Sequence, residues 1–204
     1  VAWSTSVWPV LQLGLRPVFV DVDPLTLNMR IDDARRRLGP RTKAIVAVHI
    51  LGNSTDMSAL HALARERNLI VIEDTCESLG STAGGRPLGA QSAFGTFSFY
   101  YSHHITTGEG GAVACHTQED ADLLRCPRAH GWSRELSNRA EVEASHPEID
   151  SRFLFVNAGF NVRPVEVQAA FGLEQLLHAR GRAEMVLAAE QAVAVHHALR
   201  RHLG

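Results

Sequence analysis

The sequence predicts an α/β fold in which a mostly parallel sheet has helices on both faces. Three near-continuous aliphatic runs, RPVFVDVD, AIVAVHI and LIVIEDT, have the length and composition of parallel strands that are covered on both sides. Helical patterns separate these runs, in DDARRRLG and in TDMSALHALARERN. Because alternating strands and helices build βαβ units, we expect an open, mostly parallel sheet.

The elements around these runs extend the same pattern. The opening segment is apolar-rich and helix-like, and the helix in TDMSALHALARERN has Ser54 or Thr55 as its expected N-cap. FGTFSFYY and GAVACH read as two further strands, joined by the glycine-rich turn TTGEGG. TQEDADLLRC reads as a helix whose acidic first turn suits the positive end of the helix dipole.

The second half of the chain has an irregular part and a helical part. Residues 128–162 are the least regular, whereas the chain from Pro164 onward is almost wholly helical in pattern, with Gly181 as a candidate kink. We therefore expect residues 1–163 to be part of a large α/β domain. Residues 164–204 are expected to lead towards a smaller C-terminal domain.

Composition and charge argue against several classes of protein. A formal net charge of -2 gives no reason to expect nucleic acid or a membrane surface as partner. No apolar run approaches the ~20 residues that span a bilayer, and the opening VAWSTSVWPV lacks the basic region of a signal peptide. Three cysteines without paired spacing favour reduced thiols in a cytoplasmic protein.

Polar residues follow two of the expected strands. Glu73 and Asp74 end LIVIEDT, while His49 and Gly52 lie at the end of AIVAVHI. Ligands of open α/β sheets bind beyond the carboxyl ends of the strands. Because strand side chains alternate, only one of the two acids can point towards such a site. That acid is either a solvated helix cap or a buried carboxylate that pairs with a protonated ring nitrogen.

Several spaced motifs resemble one enzyme family. IEDTCESLGS, GTFSFYYSHHITTGEGGAV and GFNVRPVEVQAAFGLEQL look like the DegT/DnrJ/StrS family of sugar aminotransferases, and AWSTSVWPVLQLGLRPVFVDVD and VHILGNSTDM also match. The resemblance covers nearly the whole chain. It implies the large domain of a fold type I aminotransferase, with pyridoxal 5'-phosphate or pyridoxamine 5'-phosphate as cofactor. It also implies a homodimer with shared active sites.

The resemblance assigns roles to five residues. Asp74 matches the aspartate that keeps the pyridine nitrogen protonated, and Trp3 matches an aromatic residue stacked on the cofactor ring. Ser98 matches a hydroxyl that binds the cofactor phosphate, and Asn161 matches a residue that reaches this phosphate across the dimer interface. Glu77 occupies a position on the ring-hydroxyl side. Trp3 and Asn161 also allow a simpler interpretation, as core and turn residues.

The cofactor lysine of the family is missing. It would stand five residues after Ser98, where this chain has His103, and the resemblance then points to the 3-dehydratase branch of the family. Among 20 basic residues the single lysine is Lys43, at the entry to the AIVAVHI run. A cofactor bound covalently to lysine is therefore not expected.

Histidine in this place suits dehydration. An imidazole can accept a proton and return it to a departing hydroxyl near neutral pH. The resemblance to the 3-dehydratase branch implies that pyridoxamine phosphate acts on a nucleotide 4-keto-6-deoxyhexose, with GDP-4-keto-6-deoxy-D-mannose as the first candidate and L-glutamate as the regenerating amine donor. If His103 and His104 are extended, only one imidazole faces the site, and the spacing from Ser98 favours His103 as the catalytic residue.

Four alternative interpretations compete with the dehydratase, and each fits the sequence less well. A metal site from His49, His103, His104, Glu109 and Cys115 lacks chelating spacing. An iron–sulfur 3-dehydrase needs cysteines beyond RAHGWSRE, but residues 127–204 contain none. An ordinary sugar aminotransferase lacks its lysine, and a non-catalytic sugar-binding relative has no need of Asp74, Ser98 and the GEGG turn together.

The chain is also expected to be an internal piece of a longer protein. It begins without methionine in one apolar-rich segment and stops in another, VHHALRRHLG. By the resemblance, a glycine-rich phosphate loop lies upstream of Val1 and the small domain lies beyond Gly204.

Overall fold

The computed structural model describes residues 2–178. The chain divides into two compact units, one comprising Val1–Ser98 with Gly111–Pro164 and the other Phe99–Gly110 with Val165–Gly204. Residues 166–178 are helical, as the pattern after Pro164 indicates. The rest of the expected helical segment, including Gly181, lies outside the described residues, and the proposed domain boundary stays a prediction.

The regular elements follow the order that the sequence suggests, with shorter bounds. The helices are α1 (Trp8–Gln12), α2 (Ile31–Arg37), α3 (Met57–Arg67), α4 (Gln118–Arg128) and α5 (Arg139–Ser145). The strands are β1 (Ala44–Val48), β2 (Ile70–Asp74), β3 (Thr82–Ala83), β4 (Arg86–Pro87), β5 (Phe94–Ser98) and β6 (Gly111–Ala114). Single turns of 3-10 helix occur at Ser4–Ser6, Ser133–Glu135 and Ser151–Phe153.

The main sheet has the order β1-β2-β5-β6. β1, β2 and β5 are parallel, whereas β6 returns antiparallel to β5 after the glycine-rich turn. In this register Val48 lies beside Asp74, and Asp74 lies beside Thr96. The carboxyl ends of the three parallel strands therefore meet at one edge of the sheet, which is where ligands of such sheets bind.

The core lies between this sheet and α3. Leu60 and Leu63 of α3 are fully buried, and Ile45, Ala47 and Val71 of the strands belong to the same cluster. Alternate residues of β1 and β2 supply this face, as the period of a strand requires. The crossover from β1 through α3 to β2 is thus a βαβ unit held by apolar burial.

Two local predictions are wrong. RPVFVDVD is not a sheet strand, since only Val22 forms an isolated bridge, to Met29. The Asp23 carboxylate instead accepts hydrogen bonds from the backbone of the following turn, which bends the chain back on itself. The N-cap of α3 is Asp56, whose carboxylate accepts from Ala59 N at 2.9 Å, and not Ser54 or Thr55.

The remaining observations concern thiols and membranes. Cys76, Cys115 and Cys126 are free thiols. Within residues 2–178, no helix has both the length and the apolar character needed to cross a membrane.

Candidate active site

Asp74 lies at the carboxyl end of β2 and accepts hydrogen bonds from neutral donors, among them a hydroxyl and a backbone N–H. Ser6 Oγ donates to Asp74 Oδ2 at 2.7 Å, and the backbone N–H of Cys76 donates to Asp74 Oδ1 at 3.2 Å. In the described part of the chain, Asp74 has no ion pair with a basic side chain. These donors are neutral, so they leave room at the carboxylate for a cationic ligand.

The 3-10 helix at Ser4–Ser6 brings an aromatic residue to the same place. Trp3 caps this helix, and its carbonyl accepts from Ser6 N at 3.1 Å. Trp3 is 76% exposed, so the alternative interpretation of Trp3 as a core residue is wrong. An exposed indole one short turn from an aspartate-bound serine is available to stack on a flat ligand.

The Glu73 side chain lies on the other face of β2 from that of Asp74, and its hydrogen bonds are all made inside the protein. It is fully buried, and its carboxylate accepts from Gly89 N at 2.8 Å and from Gln91 N at 2.9 Å, with His49 Nε2 at 3.3 Å. Burial alone would raise the pKa of Glu73, but these hydrogen bonds outweigh it and lower the pKa to about 2. The expectation that only one of the two acids serves the site agrees with this geometry.

His49 is likewise internal. Its Nδ1 accepts from Thr55 N at 3.2 Å, so in the neutral ring the proton lies on Nε2 and is donated to Glu73. The ring is fully buried, and the carbonyl of His49 accepts from Ser78 Oγ at 2.7 Å. His49 therefore ties the end of β1 to the end of β2, and it has no atom free for a ligand.

Glycines let the Glu73-bound loop pack closely on the sheet. Gly89 has a φ of +80°, and a Cβ at Gly95 would lie 1.8 Å from the Gly89 carbonyl oxygen. No side chain fits at that distance. This contact explains why the second residue of β5, which lies beside Glu73 of β2, is a glycine.

Two other residues of the expected cofactor site, Ser98 and Glu77, lie at or just beyond the carboxyl ends of the strands. Ser98 is the last residue of β5, partly buried and paired with Gly111. Glu77 lies in the turn after β2, where its carboxylate accepts from Leu51 N at 3.3 Å. Asn161 is exposed and forms an isolated bridge with Ala129. Their roles towards a cofactor stay predictions.

Cys76 follows Asp74 but is a poor nucleophile. Burial, and next the hydrogen bond to Asp74, raise the pKa of the Cys76 thiol to about 12. A thiol with that pKa stays protonated at neutral pH, so no thiolate chemistry is expected beside Asp74.

His103 belongs to the second unit, together with residues 165–178. His103 and His104 are not in an extended segment, because His103 N donates to the Tyr100 carbonyl at 3.0 Å and closes a turn. His103 is partly buried with its ring 6.2 Å from that of Tyr100, whereas His104 is exposed. Within the same unit, Gln168 Nε2 donates to the Glu109 carbonyl at 2.8 Å and ties the turn segment to the helix.

Sequence reasoning missed Ser6. Serine and threonine are common in the first turns of helices, and nothing in the STS tripeptide marks one hydroxyl as a partner of a carboxylate 68 positions away. The metal interpretation gains no support either. Within residues 2–178, no three histidine, cysteine, aspartate or glutamate side chains cluster as metal ligands would.

Comparison with known proteins gives one consistent picture. The model of the DegT/DnrJ/EryC1/StrS aminotransferase family matches residues 1–194. A GDP-4-keto-6-deoxy-D-mannose 3-dehydratase from Yersinia pseudotuberculosis is 42% identical over 178 residues, which are 86% of this chain and 45% of the relative. The chain thus spans about half the length of the curated relatives it matches.

Solved structures agree. Two structures of GDP-4-keto-6-deoxymannose-3-dehydratase, one a mutant with bound GDP-perosamine and one with a trapped PLP-glutamate geminal diamine, match with a TM-score of 0.80 and 40% identity. Each match covers 88% of this chain and 47% of the other. The fold is therefore that of the aminotransferase large domain, and the chain belongs to the DegT/DnrJ/EryC1/StrS aminotransferase family.

Proposed function

We propose that the protein containing this chain removes the C3 hydroxyl of a nucleotide 4-keto-6-deoxyhexose, with pyridoxamine 5'-phosphate as cofactor. GDP-4-keto-6-deoxy-D-mannose is the proposed sugar substrate. L-glutamate supplies the two reducing equivalents and is converted to 2-oxoglutarate and ammonia. The sugar product is the 3-deoxy-4-keto compound, so atoms and electrons balance without another reductant.

The position of the single lysine carries this proposal. Lys43 immediately precedes β1, and its carbonyl accepts from Ile70 N at the start of β2. Asp74 lies at the other end of β2, roughly 13 Å further along the strand at about 3.3 Å per residue. The only lysine of the chain is thus at the wrong edge of the sheet to hold a cofactor that pairs with Asp74.

The residues at the carboxyl edge fit a protonated pyridine ring. Asp74 is a carboxylate with neutral donors and no basic partner among the described residues, which is the arrangement that a cationic ring nitrogen would complete. Trp3 offers an exposed flat face one helical turn from Ser6. When bound, the cofactor would supply an amine for the sugar ketone and a ring that withdraws electrons from the reacting carbon.

The chain's own residues would bind and orient the cofactor. Asp74 holds the proton on the ring nitrogen, and Ser6 holds the Asp74 carboxylate in place. Trp3 stacks on the ring, and Ser98 donates its hydroxyl to the cofactor phosphate. We assign Glu77 to the ring-hydroxyl side and Asn161 to the phosphate of the partner subunit, so a homodimer is part of the proposal.

His103 is the proposed acid and base. Its imidazole takes the proton from the cofactor carbon C4′ and delivers a proton to the C3 hydroxyl, which leaves as water. A partly buried histidine in a fixed turn suits this task better than the exposed His104. A lysine with its ordinary pKa would be mostly protonated near pH 7, whereas an imidazole can accept that proton.

The relatives support the substrates. Two relatives that are 42% identical are called GDP-4-keto-6-deoxy-D-mannose 3-dehydratases, and one solved relative carries a GDP-linked sugar and another a PLP-glutamate adduct. We extend the guanosine nucleotide and L-glutamate to this protein on that basis.

The test is an assay of the full-length protein with GDP-4-keto-6-deoxy-D-mannose, pyridoxamine phosphate and L-glutamate. We expect ammonia and 2-oxoglutarate in equal amounts and loss of the C3 hydroxyl by mass spectrometry. His103→Asn should lower the rate about 10²- to 10⁴-fold, as removal of a general base does, while the matched His104→Asn variant should stay within a few-fold of the wild type. Full activity in His103→Asn would refute the assignment, and absence of ammonia with the wild type would refute the function.

A further inference from the structure

A pocket lies at the opposite edge of the sheet from Asp74. Its volume is about 590 Å³, and it is lined by Ile70 and Val71, which begin β2, and by Ala93, which precedes β5. All of its walls belong to the first unit. Since Asp74 ends β2, this pocket is separate from the candidate active site. A volume of this size is typical of small-molecule sites.

Two arginines without acidic partners line this pocket. Arg65 comes from the last turn of α3, and Arg86 comes from β4. Within residues 2–178, neither guanidinium has an ion pair or a side-chain hydrogen bond, and no carboxylate is among the lining residues. By contrast, Arg35 and Arg37 each pair with a carboxylate at 2.7 Å or less. The pocket therefore concentrates positive charge.

Two histidines are fixed on one wall by the same serine. His61 Nε2 lies 2.9 Å from Ser92 Oγ, and His116 Nε2 donates to the Ser92 carbonyl at 2.7 Å. Ser92 itself is only 7% exposed. The rings are thus held by hydrogen bonds in defined orientations. Such orientation lowers the entropic cost of binding a polar ligand.

The nearby negative groups are already satisfied. The Glu73 carboxylate lies behind Ser92, where it accepts from His49 and from two backbone N–H groups. The last carbonyls of α3 accept from Asn68 and Leu69. Burial, opposed by Glu73 and assisted by Arg65 and Arg86, lowers the pKa of His61.

We infer that this pocket binds a small molecule bearing a phosphate group, at a site distinct from the active site. Guanidinium groups match phosphate oxygens with planar, charge-assisted pairs of hydrogen bonds. The pocket is larger than a free phosphate ion, so an organic phosphate fills it better than inorganic phosphate does. The inference does not depend on the proposed dehydratase activity.

Isothermal titration of the full-length protein, saturated with pyridoxamine phosphate, tests this inference. The probes are inorganic phosphate and glucose 1-phosphate, and each should give saturable binding to the wild type. An Arg65→Ala/Arg86→Ala variant should bind both probes at least tenfold more weakly. The matched Arg16→Ala/Arg41→Ala variant removes the same charge from exposed arginines elsewhere and should stay within twofold of the wild type.

Each outcome of the titration either supports or overturns the inferred phosphate site. Tighter binding of glucose 1-phosphate supports an organic ligand, whereas equal affinities support a site for the phosphate group alone. Absence of saturation up to about 10 mM, a Kd that corresponds to under 3 kcal/mol, would overturn the inference. So would equal loss in the two double variants. Arg65→Gln and Arg86→Gln, which keep the length and polarity of the side chains, give the same comparison if the alanine variant is not folded.

Discussion

Replacement of Glu73 by glutamine tests the buried network behind the active-site strand. The folded protein lowers the pKa of Glu73 from its ordinary value of 4.5 to about 2, because hydrogen bonds from His49, Gly89, Gln91 and Ser92 outweigh burial. At about 1.36 kcal/mol per pH unit, this difference corresponds to at most roughly 3 kcal/mol of folding free energy at pH 7. The amide of Glu73→Gln keeps one acceptor and places N–H donors against a backbone N–H. We therefore expect this variant to be less stable by about 2–3 kcal/mol.

The pH dependence identifies the charge as the cause. A carboxylate whose pKa is lower in the folded state stabilises the protein above the unfolded pKa, and this stabilisation is lost as the pH falls through the folded pKa. For Glu73 the loss begins below about pH 4.5 and continues through about pH 2. The stability gap between the wild type and Glu73→Gln should narrow by roughly 1.4 kcal/mol between pH 7 and about pH 3.5.

Urea unfolding of the full-length protein measures both effects. The control is Glu66→Gln, which makes the same chemical change at an exposed salt bridge with Arg35 and should cost less than about 1 kcal/mol. A loss below about 1 kcal/mol in Glu73→Gln, or a gap that does not change with pH, would refute the reasoning that a buried, hydrogen-bonded charge stabilises this edge.

Three further predictions follow from single contacts. Ser6→Ala removes a charge-assisted hydrogen bond of about 1.5 kcal/mol from Asp74, so pyridoxamine phosphate should bind about tenfold more weakly in an absorbance titration. The Ser6→Thr variant keeps the hydroxyl and should bind pyridoxamine phosphate as the wild type does. Equal affinity in Ser6→Ala and the wild type would contradict the role of the hydroxyl. Gly95→Ala should unfold the protein or lower its stability by more than about 3 kcal/mol, because the new Cβ would meet the Gly89 carbonyl; a change in Tm of only a few degrees would show that the loop gives way. Asp56→Ala removes the N-cap of α3 and should cost about 1 kcal/mol in urea unfolding, whereas Ser54→Ala should cost little; the reverse order would restore the sequence-based cap.

Local chemistry explains why parts of the structure could be predicted. Aliphatic runs and helical periodicity predict β1, α3 and β2. The acidic first turn of TQEDADLLRC predicts the start of α4, because acidic side chains suit the positive end of the helix dipole. Asp74 was found because a carboxylate at a strand end is visible in the sequence. By contrast, RPVFVDVD has the composition of a strand, but Asp23 and the turn after it use the backbone groups that a neighbouring strand would need.

The sequence by itself determined the α/β class, the family and the absence of a lysine at the cofactor position. These depend on residue identity, periodicity and the spacing of motifs along the chain, so no folding is needed to read them. Tertiary structure alone decided that Ser6 binds Asp74, that Glu73 and His49 are internal, and that Arg65, Arg86 and two histidines share one pocket. The Ser6–Asp74 and His49–Glu73 contacts each join residues more than 20 positions apart, and such pairs are set by the packing of strands and helices, which local patterns do not record.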